Sequence, residues 1–177
     1  MTTKTVIAML CVASFLSISA NAQKKIVSIS LGPSIGLPLN FSDGYKTGFG
    51  GGLRGYYGLS EHGSLLINIY VAQFESSEFS NTLSFSGIKL GYRSFLGNTK
   101  LFLYGDVGYA HAAGDNTYST YSTGTHFALG SGFGYSLPLG QRGHVDVIPS
   151  CNISFQNVKN KTWLDFYIAY RFDLNRK

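Results

Sequence analysis

Val27-Ser28-Ile29-Ser30-Leu31-Gly32-Pro33-Ser34-Ile35-Gly36-Leu37 alternates apolar with small or polar residues from end to end. Side chains of a strand point to opposite faces in turn, so this segment makes a ribbon with one greasy face and one small, polar face. The same pattern returns downstream, with Phe127, Leu129, Phe133, Tyr135 and Leu137 opposite Ala128, Gly130, Gly132, Gly134 and Ser136. Two kinds of protein carry such strands. A soluble sandwich or lipocalin-type barrel turns the apolar face inward and solvates the other with Lys, Glu and Thr. Here the second face is Gly, Ser and Ala, a poor water-facing surface but a good fit to the narrow bore of a small barrel. The apolar parity is therefore expected to face lipid and the small parity to face the lumen.

Composition agrees. The chain has 177 residues, 22 of them Gly, with only 13% charged and 15% aromatic residues, and its mean hydropathy is +0.06. An average soluble domain carries about 25% charged residues. Beyond the N-terminus, no run of apolar residues is long enough for a spanning helix, and a strand at membrane depth must close its hydrogen bonds in a barrel. The N-terminus reads as a secretory signal, with Lys4, an apolar core from Val6 to Ile18, and Ala20-Asn21-Ala22 before Gln23. The expected organisation is a cleaved signal peptide at 1–22 and one barrel domain at 23–177. Loss of Lys4 leaves 13 Lys and Arg against 9 Asp and Glu, a net charge of +4, with no basic stripe, so nucleic acid is not an expected partner. Cys11 leaves with the signal peptide; Cys151 then stands alone, in the outward parity, and reads as a small lipid-facing residue.

Parity and turn residues together predict eight strands, at 26–38, 47–59, 64–75, 82–95, 100–112, 123–137, 144–156 and 163–173. The fold class is thus all-β, an eight-stranded antiparallel transmembrane β-barrel. Strand three is apolar on both parities near its start. In strand four, Leu83 and Phe85 are out of phase with Ile88, Leu90 and Tyr92, which predicts a bulge near Gly87 or an upper half outside the lipid. Pro33 and Pro149 predict bulges or local irregularity. Connections alternate between short and long, so the short turns and both termini are expected on the periplasmic side and the longer loops outside. Aromatics near strand ends, Phe41, Tyr45, Phe74, Tyr109, Phe155 and Trp163 at the outer end and Tyr57, Phe95, Tyr135 and Phe172 at the inner end, are expected to form two interfacial girdles.

With the signal peptide, Gly87-Ile88-Lys89-Leu90-Gly91-Tyr92-Arg93, Tyr104-Gly105-Asp106-Val107-Gly108-Tyr109 and the closing Tyr170-Arg171-Phe172, the chain resembles the small outer-membrane β-barrel domain proteins related to the OmpA/OmpX-type eight-stranded barrels. The resemblance covers the whole mature chain. It implies location in the outer membrane of a Gram-negative bacterium, contact with outer-membrane lipids and lipopolysaccharide, outer loops available to an extracellular ligand, and insertion by the barrel-assembly machinery. In that family the machinery reads a terminal aromatic; here five residues follow Phe172.

The inward parity holds Arg54, Lys89, Arg93 and Arg171 against Asp106, Asp146 and Asp165. Charge in a narrow bore is tolerated when paired or hydrated, so these residues are expected to neutralise one another in a lumen charge network that plugs the bore. A narrow ion pathway is the other reading. An enzyme is not expected. The competing reading is a lipid A-modifying deacylase or acyltransferase using His111 and His126 with Asp115, Ser119 or Ser122 of the third outer loop, the ingredients of acyl transfer. His62-Gly63-Ser64 falls in a turn on the other side. No metal-ligand spacing, phosphate-cradling loop or paired carboxylates occur, so neither metal nor cofactor is expected. Three substitutions follow: Arg at Leu129 or at Ile168 should be costly, and Ser at Gly130 should be mild.

Overall fold

The computed structural model describes residues 26–41, 44–76, 82–114, 123–156 and 160–175; the expected signal peptide lies outside them. Eight strands fill that length: β1 Val27–Pro38, β2 Gly48–Gly58, β3 Gly63–Glu75, β4 Thr82–Phe95, β5 Leu101–Gly114, β6 Gly124–Leu139, β7 Gly143–Phe155 and β8 Lys161–Asp173. Each pairs antiparallel with its neighbour in sequence, and β8 returns to β1 to close the barrel. Closure leaves no unpaired edge, which is what a lipid-embedded sheet requires. At the end bearing the termini the connections are short, and Gly97 and Gly140 adopt φ of 59° and 73°, conformations that carry little penalty only for glycine.

Parity sorts the side chains as the alternation predicts. Ile29, Leu31, Ile35 and Leu37 of β1 are exposed on the outer wall, while Ser28, Ser30, Ser34 and Gly36 are buried. In β8, Leu164, Phe166, Ile168, Tyr170 and Phe172 face out and Trp163, Tyr167, Ala169, Arg171 and Asp173 face in. Cys151 is half-exposed on the outer wall and free.

The irregular strands resolve differently from expectation. No bulge exists near Gly87: β4 pairs without a break from Thr82 to Ser94 with β3 and from Leu83 to Phe95 with β5. The phase change arises because Leu83 and Phe85 are lumen residues, buried to 1% and 0% exposure. In β3, Leu66 likewise faces inward while Leu65 faces out. At the prolines the ladder is interrupted but its register holds. Pairing of β1 with β8 stops at Leu31↔Tyr170 and resumes at Ser34↔Tyr167, and β6 with β7 stops at Gly132↔Ser150 and resumes at Tyr135↔Val147. A missing N–H thus costs local pairs without inserting a residue. Beside Pro149 the outer wall carries an apolar crevice of ≈ 500 Å³ bordered by Phe133, Cys151 and Leu164.

The aromatic girdles need correction. Phe41, Tyr45, Phe74 and Trp163 do not face lipid; with Phe85, Leu83, Ala72 and Ala112 they form a buried cluster inside the mouth opposite the termini. Phe85 stacks on Trp163 at 4.9 Å, and Phe74 meets Phe41 edge to face at 5.2 Å. Phe95 packs inward against a second cluster containing Tyr56, Leu66, Phe102, Tyr104, Ile148 and Tyr167. Of the expected outer girdle, Tyr109 and Phe155 are on the outer wall, flanking Phe127 at 6.2 and 5.7 Å. Tyr57, Tyr135 and Phe172 are exposed on the wall at the other end.

Candidate functional site in the lumen

The bore is layered along its axis. At mid-height, Lys89 of β4 lies between Gly87 and Gly91 on its own strand and opposite Gly108 of β5, so the lysine enters a space lined by small residues. Its Nζ is 2.8 Å from Asp106 Oδ1 and donates to Asn152 Oδ1 of β7 at 2.8 Å. Asn68 of β3 donates to the other Asp106 oxygen at 2.9 Å, and the ring centroid of Tyr70 lies 4.7 Å from Lys89 Nζ. Lys89 and Asp106 side chains are 1% and 0% exposed. One ion pair thus ties β4 and β5 across the bore to β7, with every partner polar or aromatic.

Arg54 of β2 meets aromatic faces rather than a carboxylate. Its guanidinium carbon is 4.9 Å from the Tyr104 centroid and 4.4 Å from that of Tyr167, and Tyr167 Oη donates to Gly52 O at 2.7 Å. A desolvated cation over a ring gains about 2 kcal/mol. Among the described residues neither Arg54 nor Asp165 forms an ion pair with a partner in the bore; Asp165 is half-buried beside Ser34. The direct contacts of these two are ring faces and a hydroxyl.

Nearer the termini, Arg171 spends its whole fork: Nε donates to Asp146 Oδ2 at 3.1 Å, Nη1 to Asp173 Oδ1 at 2.9 Å and Nη2 to Ser136 Oγ at 3.0 Å. Asp173 also meets Ser28 Oγ at 2.7 Å and His144 Nε2 at 3.3 Å. Arg93 approaches the same Asp146 oxygen only to 3.6 Å and lies 4.0 Å from the Tyr56 centroid. Asp173 was legible in the sequence, because it continues the inward parity of Asp165 and Arg171; it is the fourth carboxylate of the bore, against Arg54, Lys89, Arg93, Arg171 and the buried Lys161 over the Phe41 ring. Asn68, Asn152 and the four tyrosines were not, since uncharged residues on the inward parity carry no signal of partnership. Below this layer the bore widens into a cavity of ≈ 610 Å³ at the mouth bearing the termini. At mid-height only ≈ 20 Å³ is open beside Arg54 and Asp165.

The two histidines of the acyl-transfer reading do not converge. His111 pairs with Thr125 and faces outward, 3.5 Å from its hydroxyl, whereas His126 pairs with Ala110 and is buried in the bore. The two histidines are on opposite sides of the wall. Asp115, Ser119 and Ser122 lie outside the described residues. Ser64 lines the terminal-end cavity, away from both. Among the described residues no cluster of His, Cys, Asp or Glu is arranged to hold a metal.

Comparison with known proteins places this geometry. Residues 8–172 match the family model described as outer membrane protein beta-barrel domain. Among solved structures, the chain is similar to Ail, the attachment invasion locus protein of Yersinia pestis, at 19% identity and a TM-score of 0.62, covering 85% of this chain and 100% of that one. It is also similar to Neisserial surface protein A, at 15% identity and a TM-score of 0.57 over 84% of this chain and 96% of the other. The outer membrane protein OprG of Pseudomonas aeruginosa matches at 10% identity and a TM-score of 0.56 over 86% and 97%. A comparison with curated protein sequences gives no match.

Proposed function

The chain belongs to the outer membrane protein beta-barrel domain family, and on that premise we propose that it is a sealed scaffold of the outer membrane whose exterior loops make the functional contacts. As an outer-membrane barrel it is solvated by membrane lipid over the exposed apolar wall. The observation that carries the sealed reading is the filling of the bore: rings pack the outer mouth, the Lys89–Asp106 pair is buried at mid-height, and the space beside Arg54 and Asp165 is ≈ 20 Å³. With the bore filled, a ligand from outside meets the loops and the rim instead. Lipopolysaccharide is the neighbouring molecule on that side, and the barrel-assembly machinery is the expected inserting partner. Ail has been crystallised with the heparin analogue sucrose octasulfate, a precedent for ligand capture by this kind of barrel; the third loop, Ala113 to Ser122, rich in Tyr, Ser and Thr, is the candidate contact surface here.

Expression in a host of defined lipopolysaccharide separates scaffold from enzyme. The scaffold reading expects the mass spectrum of lipid A to stay unchanged. Gain or loss of one acyl chain, abolished by His111→Ala or His126→Ala in a protein that still folds, would overturn it.

A further inference from the structure

The lumen is closed at one end and hollow at the other, and the hollow end holds a cation whose hydrogen-bonding capacity is unspent. Arg93 lines the ≈ 610 Å³ cavity at the periplasmic mouth with its side chain 4% exposed. Its Nε and Nη1 have no hydrogen-bond partner among the described residues. Asp146 gives its Oδ2 to Arg171 at 3.1 Å and holds that oxygen 3.6 Å from Arg93, an ion pair too long for a hydrogen bond, while its Oδ1 makes no hydrogen bond among the described residues. The other lining carboxylate, Asp173, is held by Arg171, His144 and Ser28. A buried guanidinium left in this state invites a planar or tetrahedral oxyanion, which accepts several N–H bonds from one fork.

The surroundings favour such a ligand. Ser64 supplies a hydroxyl to the wall, and Ser28 lines it with its own proton donated to Asp173. Around the mouth, Lys100 and Arg142 are exposed in the two neighbouring turns, and Glu61 is the acidic counterpart there. This excess of cations around a low-dielectric mouth concentrates anions from the periplasm. We propose that this vestibule is a binding site for a small oxyanionic solute, a phosphate or carboxylate, held by the Arg93 guanidinium. The volume falls within the usual range of small-molecule sites, about 300–1,000 Å³. The cavity is lined by inward-parity residues, Ser28, Ser64, Arg93 and Arg171, and not by the lipid wall, so the ligand enters along the bore as a free solute.

The test is nitrogen NMR of the folded protein in nanodiscs of phosphatidylcholine, titrated with inorganic phosphate and, separately, with acetate. Saturable shifts of the Arg93 Nε–H and of the Ser28 and Ser64 amides are expected with at least one anion, with no change at the Trp163 indole. Arg93→Lys keeps the charge and loses the fork, and should weaken binding by at least about tenfold. Lys100→Glu with Arg142→Glu, both in exposed turns, should raise the half-saturating concentration at low salt and lose that effect at high salt. Absence of a saturable shift in the unsubstituted protein, or equal binding by Arg93→Lys, would overturn the proposal. So would vestibule shifts produced by phosphatidylglycerol nanodiscs and by neither solute, which would make it a headgroup site.

Discussion

Removing Asp106 should destabilise the barrel more than removing almost any other single side chain. Asp106→Ala leaves the Lys89 ammonium in the bore with the Asn152 oxygen at 2.8 Å and the Tyr70 face at 4.7 Å, and takes from Asn68 the oxygen it donates to at 2.9 Å. Breaking a buried pair by deleting one partner costs about 3–5 kcal/mol. The two surviving contacts of Lys89 offset part of that, and the orphaned Asn68 amide adds about 1–3 kcal/mol, so a loss near 4 kcal/mol is expected. Lys89→Met should cost about 3 kcal/mol by stranding the carboxylate. The double variant Lys89→Met with Asp106→Ala should lose about 4–5 kcal/mol instead of the sum of about 7, a coupling of about 2–3 kcal/mol. Reversible denaturant unfolding in lipid vesicles, read by fluorescence of the single tryptophan, measures all three. Single variants within about 1 kcal/mol of the parent and no coupling would refute the reasoning, since they would mean that water in the bore solvates the pair.

Three further outcomes follow from the sorting of side chains. Ile168→Arg places a charge on the lipid wall at a residue 45% exposed there and should cost about 2–4 kcal/mol near mid-membrane, measured by the same unfolding assay. Gly130→Ser should also be costly, contrary to the expectation from parity alone, because a Cβ at Gly130 would meet Asp106, Lys89 and Asn152; a loss of about 1–3 kcal/mol by the same assay is expected. Trp163, at 1% exposure inside the outer mouth, should be quenched weakly by lipids brominated on their chains, whereas an interfacial tryptophan would be quenched strongly.

Period-two alternation made the strands, their number and the outward face legible, because a lipid wall demands apolar residues at nearly every second position. The lumen was legible only where charge broke the pattern. Arg54, Lys89 and Asp106 announced themselves on the small parity, but their partners did not. Tyr104 and Tyr167 hold Arg54 through ring faces that no spacing encodes. Phe74, Phe85 and Trp163 were misassigned to lipid, or to a bulge, for one physical reason: both the bilayer interface and a dehydrated bore accept aromatics, and only the closed register of β3, β4 and β8 distinguishes them. Gly130 taught the converse, that a small residue can be small because a neighbouring ion pair fills its space.

The sealed bore is tested most directly by planar-bilayer recording of the purified, folded protein. With rings closing the outer mouth and the Lys89–Asp106 layer spanning the middle, the unsubstituted barrel should show no steady conductance. Asp106→Ala, wherever it remains folded, should introduce open events. Robust, ion-selective conductance through the unsubstituted protein would contradict the account and identify the barrel as a narrow pore.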